Sequence, residues 1–264
     1  MKILVIPDLH ENLEFLKYIF AVEKTEDFDH IVMLGDYFDP HGDVETSDSK
    51  LQRVAGTLMG LKELHGDRLH LICGNHDLPY YALRPACGGR QGQVNPFISQ
   101  WLRCTSLARA EIINELWDED FWRSMEGAVL LDGWLFSHAG VHPNWWSKRR
   151  RSSQTRIAAF QAQWATAFDN IFEESENPIF SAGLARGGVA LYGGPLWLDW
   201  NREFDDELEV PQIVGHTCFA KQAQKGRSYC IDMGQTAYAI VENGEVQLNI
   251  WPESWLGESM IDSV

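Results

Sequence analysis

The sequence lacks what would mark a membrane span, an oxidised secreted framework or a nucleic-acid-coating surface. No apolar run approaches the roughly 20 residues that cross a bilayer. Cysteines number only 5 (Cys73, Cys87, Cys104, Cys218 and Cys230), an odd and widely spaced set. They fit neither a disulfide framework nor a zinc knuckle, so reduced thiols and a cytoplasmic location are expected. Positive charge is scarce as well: 22 Lys and Arg stand against 38 Asp and Glu, a net −16. That balance disfavours bulk nucleic-acid binding and attraction to anionic membranes. An acidic chain can still handle phosphate if bound divalent cations supply the local positive charge. The N-terminal run Met1 to Ile6 meets Pro7 and Asp8 too soon for a signal peptide and reads as a first core strand. Repeats, low-complexity tracts and an interdomain linker are missing too. Residues 1–264 therefore read as a single domain, with helical insertions expected at about 80–126 and 144–210.

What is present is a series of short apolar runs, each closed by a polar cluster. Residues 2–7 read as a strand ending in Asp8-Leu9-His10, followed by a helix from Glu11 to about Thr25. Ile31 to Leu34 reads as a second strand ending in Gly35-Asp36-Tyr37-Phe38-Asp39, and a helix is expected around 50–65. Leu69 to Cys73 reads as a third, ending in Gly74-Asn75-His76-Asp77. This strand–helix alternation implies a mainly parallel sheet with ligands at the carboxyl ends of its strands. Ala128 to Phe136 then resembles a hairpin running into Ser137-His138-Ala139-Gly140, and a helical segment is expected over about 152–174. Gln212-Ile213-Val214 leads to Gly215-His216-Thr217. Segments 228–233, 236–242 and 245–251 look like antiparallel strands, the last two joined at Asn243-Gly244.

Five strand ends thus present Asp8 and His10, Asp36 and Asp39, Asn75 and His76, His138, and His216. Carboxylate and amide oxygens mixed with imidazoles suit manganese, iron or zinc better than calcium. The number of ligands suffices for two metals if one carboxylate bridges them. The residues alone therefore point to a dinuclear metal hydrolase.

Asp8-x-His10, Gly35-Asp36-x-x-Asp39, Gly74-Asn75-His76-Asp77, His138-Ala139-Gly140 and Gly215-His216-Thr217, in this order, resemble the calcineurin-like metallophosphoesterase superfamily. The stretch Ser137 to Trp145 and the tail Ile231-Asp232-Met233-Gly234 are similar to its phosphoprotein-phosphatase and bacterial diadenosine-tetraphosphatase branch. The resemblance implies an α/β fold, a two-sheet sandwich flanked by helices with helical insertions capping the site. It implies one metal, manganese by preference, on Asp8, His10 and Asp36, and a second on Asp36, Asn75, His138 and His216. It further implies phosphoester hydrolysis by a metal-activated hydroxide, with Asn75 on the phosphoryl oxygens, His76 protonating the leaving oxygen and Asp39 orienting it. The expected substrate is a phosphorylated small molecule, a nucleotide or a phosphoprotein. The alternatives are a non-catalytic metal-binding scaffold and a nucleic-acid phosphodiesterase.

Two departures from the family pattern stand out. Pro40 and His41 follow Asp39 where phosphoprotein phosphatases carry Arg-Gly, so the usual phosphate-clamping arginine is missing, and Arg202 is a candidate substitute. Asp77 replaces the usual glutamate and is expected to brace its turn. His41 and His142 read as surface or supporting residues. The basic run Lys148 to Arg151 reads as a solvated face, with an anionic partner as the alternative. The 11 tryptophans read as core filling, with base stacking as the alternative. Gly183 to Gly194 reads equally as a lid or a plain loop.

Overall fold

The computed structural model describes residues 1–40, 47–84, 105–146, 152–171 and 177–252. His41, Cys87, Cys104 and Lys148 to Arg151 lie outside the described residues.

The first half builds one sheet by the expected alternation. Strand β1 (Lys2–Ile6) leads to helix α1 (Leu13–Val22), which Asn12 caps by accepting from the Phe15 N–H at 3.0 Å. Strand β2 (His30–Met33) follows, then helix α2 (Asp48–His65), capped by Ser47 and ended by Gly66 at φ +55°. Strand β3 (Leu69–Leu71) completes the parallel set, and a short helix α3 (Leu78–Ala82) starts just past Asp77. The first insertion contributes helices α4 (Leu107–Leu116) and α5 (Glu119–Arg123).

A second sheet comes from the later chain: β4 (Ala128–Leu131), β5 (Trp134–Ser137), β6 (Gln212–Val214), β7 (Ala223–Lys225) and β8 (Ser228–Cys230). Helix α6 (Ser153–Asp169) lies between β5 and β6 in sequence. Strands β9 (Ala237–Glu242) and β10 (Glu245–Ile250) return to the first sheet, β9 running antiparallel to β1. The sheet orders are β10-β9-β1-β2-β3 and β4-β5-β6-β8-β7.

One expectation needs correcting here. Segment 228–233 does not join 236–251 in an antiparallel set. Its strand β8 pairs parallel to β6 and antiparallel to the unforeseen β7, in the other sheet. The apolar alternation of so short a strand specifies a buried face but no partner.

The two sheets pack face to face. Ile3 and Val5 of β1 and Val32 of β2 meet Val129, Trp134, Phe136 and Ile213 of the second sheet. The alternate residues Leu4, Ile6, Ile31 and Met33 face the other way, into the helices. Trp117, Trp122, Trp146 and Trp164 are buried in that helical layer, and Trp200 is buried against the outer face of the second sheet. This agrees with core filling. The parallel strands β1, β2 and β3 of one sheet and β5, β6 and β8 of the other end along one edge of the sandwich, and the polar clusters gather there.

Candidate metal centre

At that edge the backbone must turn sharply while adjacent strand ends stay close. A Cβ on Gly74 would collide with the Asp36 carboxylate and backbone nitrogen, and one on Gly215 with the Asp8 carboxylate. Glycine is required at both. The functional residues themselves take the strain: His10, Glu11, Asp36, Asp39 and His216 all have left-handed φ, between +44° and +67°. Such backbone persists only where the surroundings over-determine it, and it concentrates at functional sites. Here hydrogen bonds do so. The His10 N–H donates to the Asp36 carbonyl (2.7 Å), the His216 N–H to Asp8 Oδ2 (2.9 Å), and the His76 N–H to Asp36 Oδ1 (2.8 Å). Asp77 accepts from the N–H groups of Gly74 and Tyr37, both at 2.8 Å, and so braces its turn.

These constraints bring ligand atoms of Asp8, His10 and Asp36 within 4.8 Å of one another, and those of Asp36, His138 and His216 likewise. Asp36 belongs to both groups. Asn75 joins the second, its Oδ1 2.9 Å from His138 Nε2, which is 3.1 Å from His216 Nδ1. Asp36 Oδ2 lies 3.7 Å from His10 Nε2 and 3.5 Å from His138 Nε2. Two ligands about 2.1 Å from one cation subtend about 3.0 Å at an octahedral edge and about 3.4 Å at a tetrahedral one, so these separations fit a transition metal.

Proton positions point the same way. His138 Nδ1 lies 2.8 Å from the Leu34 carbonyl, an acceptor, so that nitrogen carries the proton. Burial pushes the His138 pKa down despite Asp36, and pushes His216 well down, with His138 and Arg186 adding to the effect. Both rings are therefore neutral. The His138 Nε2 lone pair then faces two oxygen acceptors, Asn75 Oδ1 at 2.9 Å and Asp36 Oδ2 at 3.5 Å, a repulsion that a cation among them relieves. On the carboxylate side, burial and the neighbours Asp232 and Asp36 raise Asp8 well above its usual range. Burial would also raise Asp36, but His138, His76, His10 and His216 hold it low. Asp232, 1% exposed, is raised by burial and by Asp36. A buried cluster whose carboxylates Asp8 and Asp232 resist ionising for want of a counter-charge, beside imidazole lone pairs, fits divalent cations.

His76 stands apart. Its side chain is 38% exposed, while that of His138 is wholly buried, and its Nδ1 pairs with Asp39 Oδ2 at 3.0 Å. Burial would lower its pKa, but Asp36 and the hydrogen-bonded Asp39 raise it to about 9. That pairing favours the imidazolium form of a ring that stands beside the candidate ligand set, facing a cavity of about 320 Å³. Asp39, Asn75, Arg186, Gly187, Gly188 and Trp197 also line that cavity.

Arg202 is not among them: it is exposed, and its backbone N–H donates to Asp199 Oδ1 at 2.9 Å. The guanidinium at the cavity belongs to Arg186, bonded to Thr217 Oγ1 (2.6 Å) and paired with Asp199 Oδ2 (2.9 Å). Its loop is braced from beneath by Glu203, which accepts from the N–H groups of Ala185 and Gly193. His142 lies further out, its ring stacked on Tyr192. Arg186 and Trp197 escaped sequence reasoning as site residues, and Asp232 entered it only as part of the family-like tail, with no role at the site. Asp232 alone had a readable signal, since it closes the segment that becomes β8 as the other acids close theirs.

A sequence profile of the calcineurin-like phosphoesterases matches residues 1–219. Among solved structures, the chain is similar to the cold-active protein-tyrosine phosphatase of a psychrophilic Shewanella species, with 16% identity and TM-score 0.58, covering 95% of this chain and 78% of that one. A point mutant of a cold-active protein tyrosine phosphatase gives 17% and 0.59 at the same coverage. A serine/threonine phosphatase from Saccharomyces cerevisiae gives 15% and 0.50, covering 95% and 79%. These likenesses share the fold of two sheets and flanking helices. No curated protein matches the chain.

Proposed function

Because the chain belongs to the calcineurin-like phosphoesterase family, and is therefore a metal-dependent phosphoesterase, we propose that it is a dinuclear phosphomonoesterase or nucleotide pyrophosphohydrolase. The observation that carries this is the Asp36 carboxylate common to both ligand groups. Asp8, His10 and Asp36 would hold one cation, and Asp36, Asn75, His138 and His216 the other, with manganese the first choice. Such a pair, when bound, supplies an acidified water and a Lewis-acid grip on phosphoryl oxygens. Asn75 and Arg186 bind the phosphoryl group from the cavity side. His76 donates its Nε2 proton to the leaving oxygen, while Asp39 fixes the ring through Nδ1. Residues 1–264 act as one domain, with the insertions at about 80–126 and 144–210 shaping the cavity. The net charge of −16 weighs against a nucleic-acid phosphodiesterase.

The test is metal content and product analysis after purification from manganese-supplemented medium. Two metals per chain and hydrolysis of a phosphopeptide or diadenosine tetraphosphate are expected. ADP from the dinucleotide would identify a nucleotide enzyme, and inorganic phosphate from the peptide a protein phosphatase. Less than about one metal per chain without hydrolysis would reduce the protein to a scaffold.

A further inference from the structure

Behind His76 runs a closed circuit of polar contacts that the reaction as described does not use. Asp39 gives Oδ2 to His76, while its Oδ1 accepts from the Tyr80 hydroxyl and lies 3.4 Å from the Arg109 guanidinium. Arg109 Nε donates to the same Tyr80 oxygen at 3.0 Å, and its Nη2 to Glu11 Oε1. Glu11 Oε1 in turn accepts the Asp39 backbone N–H at 3.1 Å, closing the ring. Tyr80 and Glu11 are both fully buried, and the Arg109 side chain is 16% exposed.

A carboxylate on its own would not aim a histidine well, because its terminal torsion is broad and nearly two-fold. Asp39 also sits at φ +62°, a strained backbone that must be held. The circuit secures both. Glu11 fixes the backbone, and Tyr80 with Arg109 fixes one carboxylate oxygen, which leaves the other directed at His76. Arg109 comes from α4 in the first insertion, 98 residues from Glu11 in sequence.

We infer that Tyr80 and Arg109 are positioning residues for phosphoester cleavage: they lock the Asp39 carboxylate and thereby hold His76 in line with the leaving oxygen. This rests on the reading of His76 as the acid. A purely structural role is the rival, since Arg109 also neutralises a buried Glu11, and removing one partner of such a pair destabilises a fold.

Tyr80→Phe separates the two, because it deletes one hydroxyl and keeps the buried ring. The manganese-loaded full chain is assayed on phenyl phosphate and 4-nitrophenyl phosphate, in the wild type, Tyr80→Phe, His76→Ala and the double variant. Phenolate is the poorer leaving group and needs the proton more. We expect Tyr80→Phe to lower kcat on phenyl phosphate about 10-fold, and less on the nitrophenyl ester, with KM and metal content unchanged. In the His76→Ala background it should have no further effect, because positions that act as a unit are not additive. A Tyr80→Phe loss that persists without His76, or that is equal on both esters, overturns the inference and leaves the acid in place. A His76→Ala loss that is the same on both esters overturns the acid itself, and the inference with it. Glu11→Gln combined with Arg109→Gln, which removes both buried charges together, should reproduce the leaving-group pattern; an unchanged kcat in that folded variant also refutes it.

Discussion

Replacing Asp36 by asparagine is the sharpest test of a shared ligand, because size barely changes and an amide oxygen can still accept the His76 N–H, while the charge disappears and the second oxygen becomes an NH2 donor. Asp36 Oδ2 stands 3.7 Å from His10 Nε2 and 3.5 Å from His138 Nε2, between the two ligand groups. A carboxylate charge about 3 Å from a divalent cation, at an effective dielectric of about 20, is attracted by about 11 kcal/mol. Desolvating the buried ions takes back several kcal/mol apiece. A net loss on the order of 3–5 kcal/mol per cation remains, roughly 10²- to 4 × 10³-fold in affinity. The loss should strike both cations at once. Asp36→Asn and wild type would be compared by metal analysis after desalting and by calorimetric titration of manganese, with circular dichroism to verify the fold. The variant should retain well under one metal per chain, while a ligand serving one ion alone would leave one site filled. A variant that still holds two tightly bound metals would refute the bridging role. The metal-free variant should unfold earlier than metal-free wild type, because the substitution removes a carboxylate charge that His138, His76, His10 and His216 hold in place against burial.

Arg186→Ala should raise KM, and the inhibition constant for inorganic phosphate, by about 10- to 100-fold, the worth of a charge-assisted hydrogen bond; steady-state inhibition checks it, and Arg202→Ala should change neither. Chelation of the metals should lower the melting temperature: saturation at 100 times Kd is worth about 2.7 kcal/mol, or roughly 5–10 °C in a chain of this size. Differential scanning calorimetry with and without chelator reads that directly. Gly74→Ala should destabilise the protein by at least about 1–3 kcal/mol and cost it the metals, because the added methyl meets the Asp36 carboxylate. Normal metal content in that variant would show that the turn can relax.

The candidate ligand set was legible in the sequence because each of its residues follows closely on a strand, and the carboxyl ends of neighbouring parallel strands align whatever the rest of the chain does. Periodicity over a few residues placed β1, β2 and β3, and the glycines at 35, 74 and 215 marked where the backbone had to turn. Asp8, His10, Asp36, Asn75, His138 and His216 were therefore nameable before any coordinates, and the structure brings them within reach of one another. The exposure of His76 followed from tertiary packing, which leaves it at the cavity and buries His138.

The residues around the candidate centre were a different matter. Arg186 rather than Arg202 reaches the cavity because Thr217 and Asp199 hold its guanidinium there, and neither contact leaves a trace in local sequence. The pairing of β8 with β6 instead of with β9 was likewise decided by which sheet its buried face could complete. Arg109 meets Glu11 only when an insertion helix docks against the first strand end. The sequence by itself determined which carboxylates, imidazoles and amide gather at the candidate centre, because a strand and its closing polar residues are one local pattern. The tertiary structure alone decided which guanidinium reaches the cavity and which side chains hold Asp39 beside His76, because long side chains on inserted elements find their partners only through packing between distant parts of the chain.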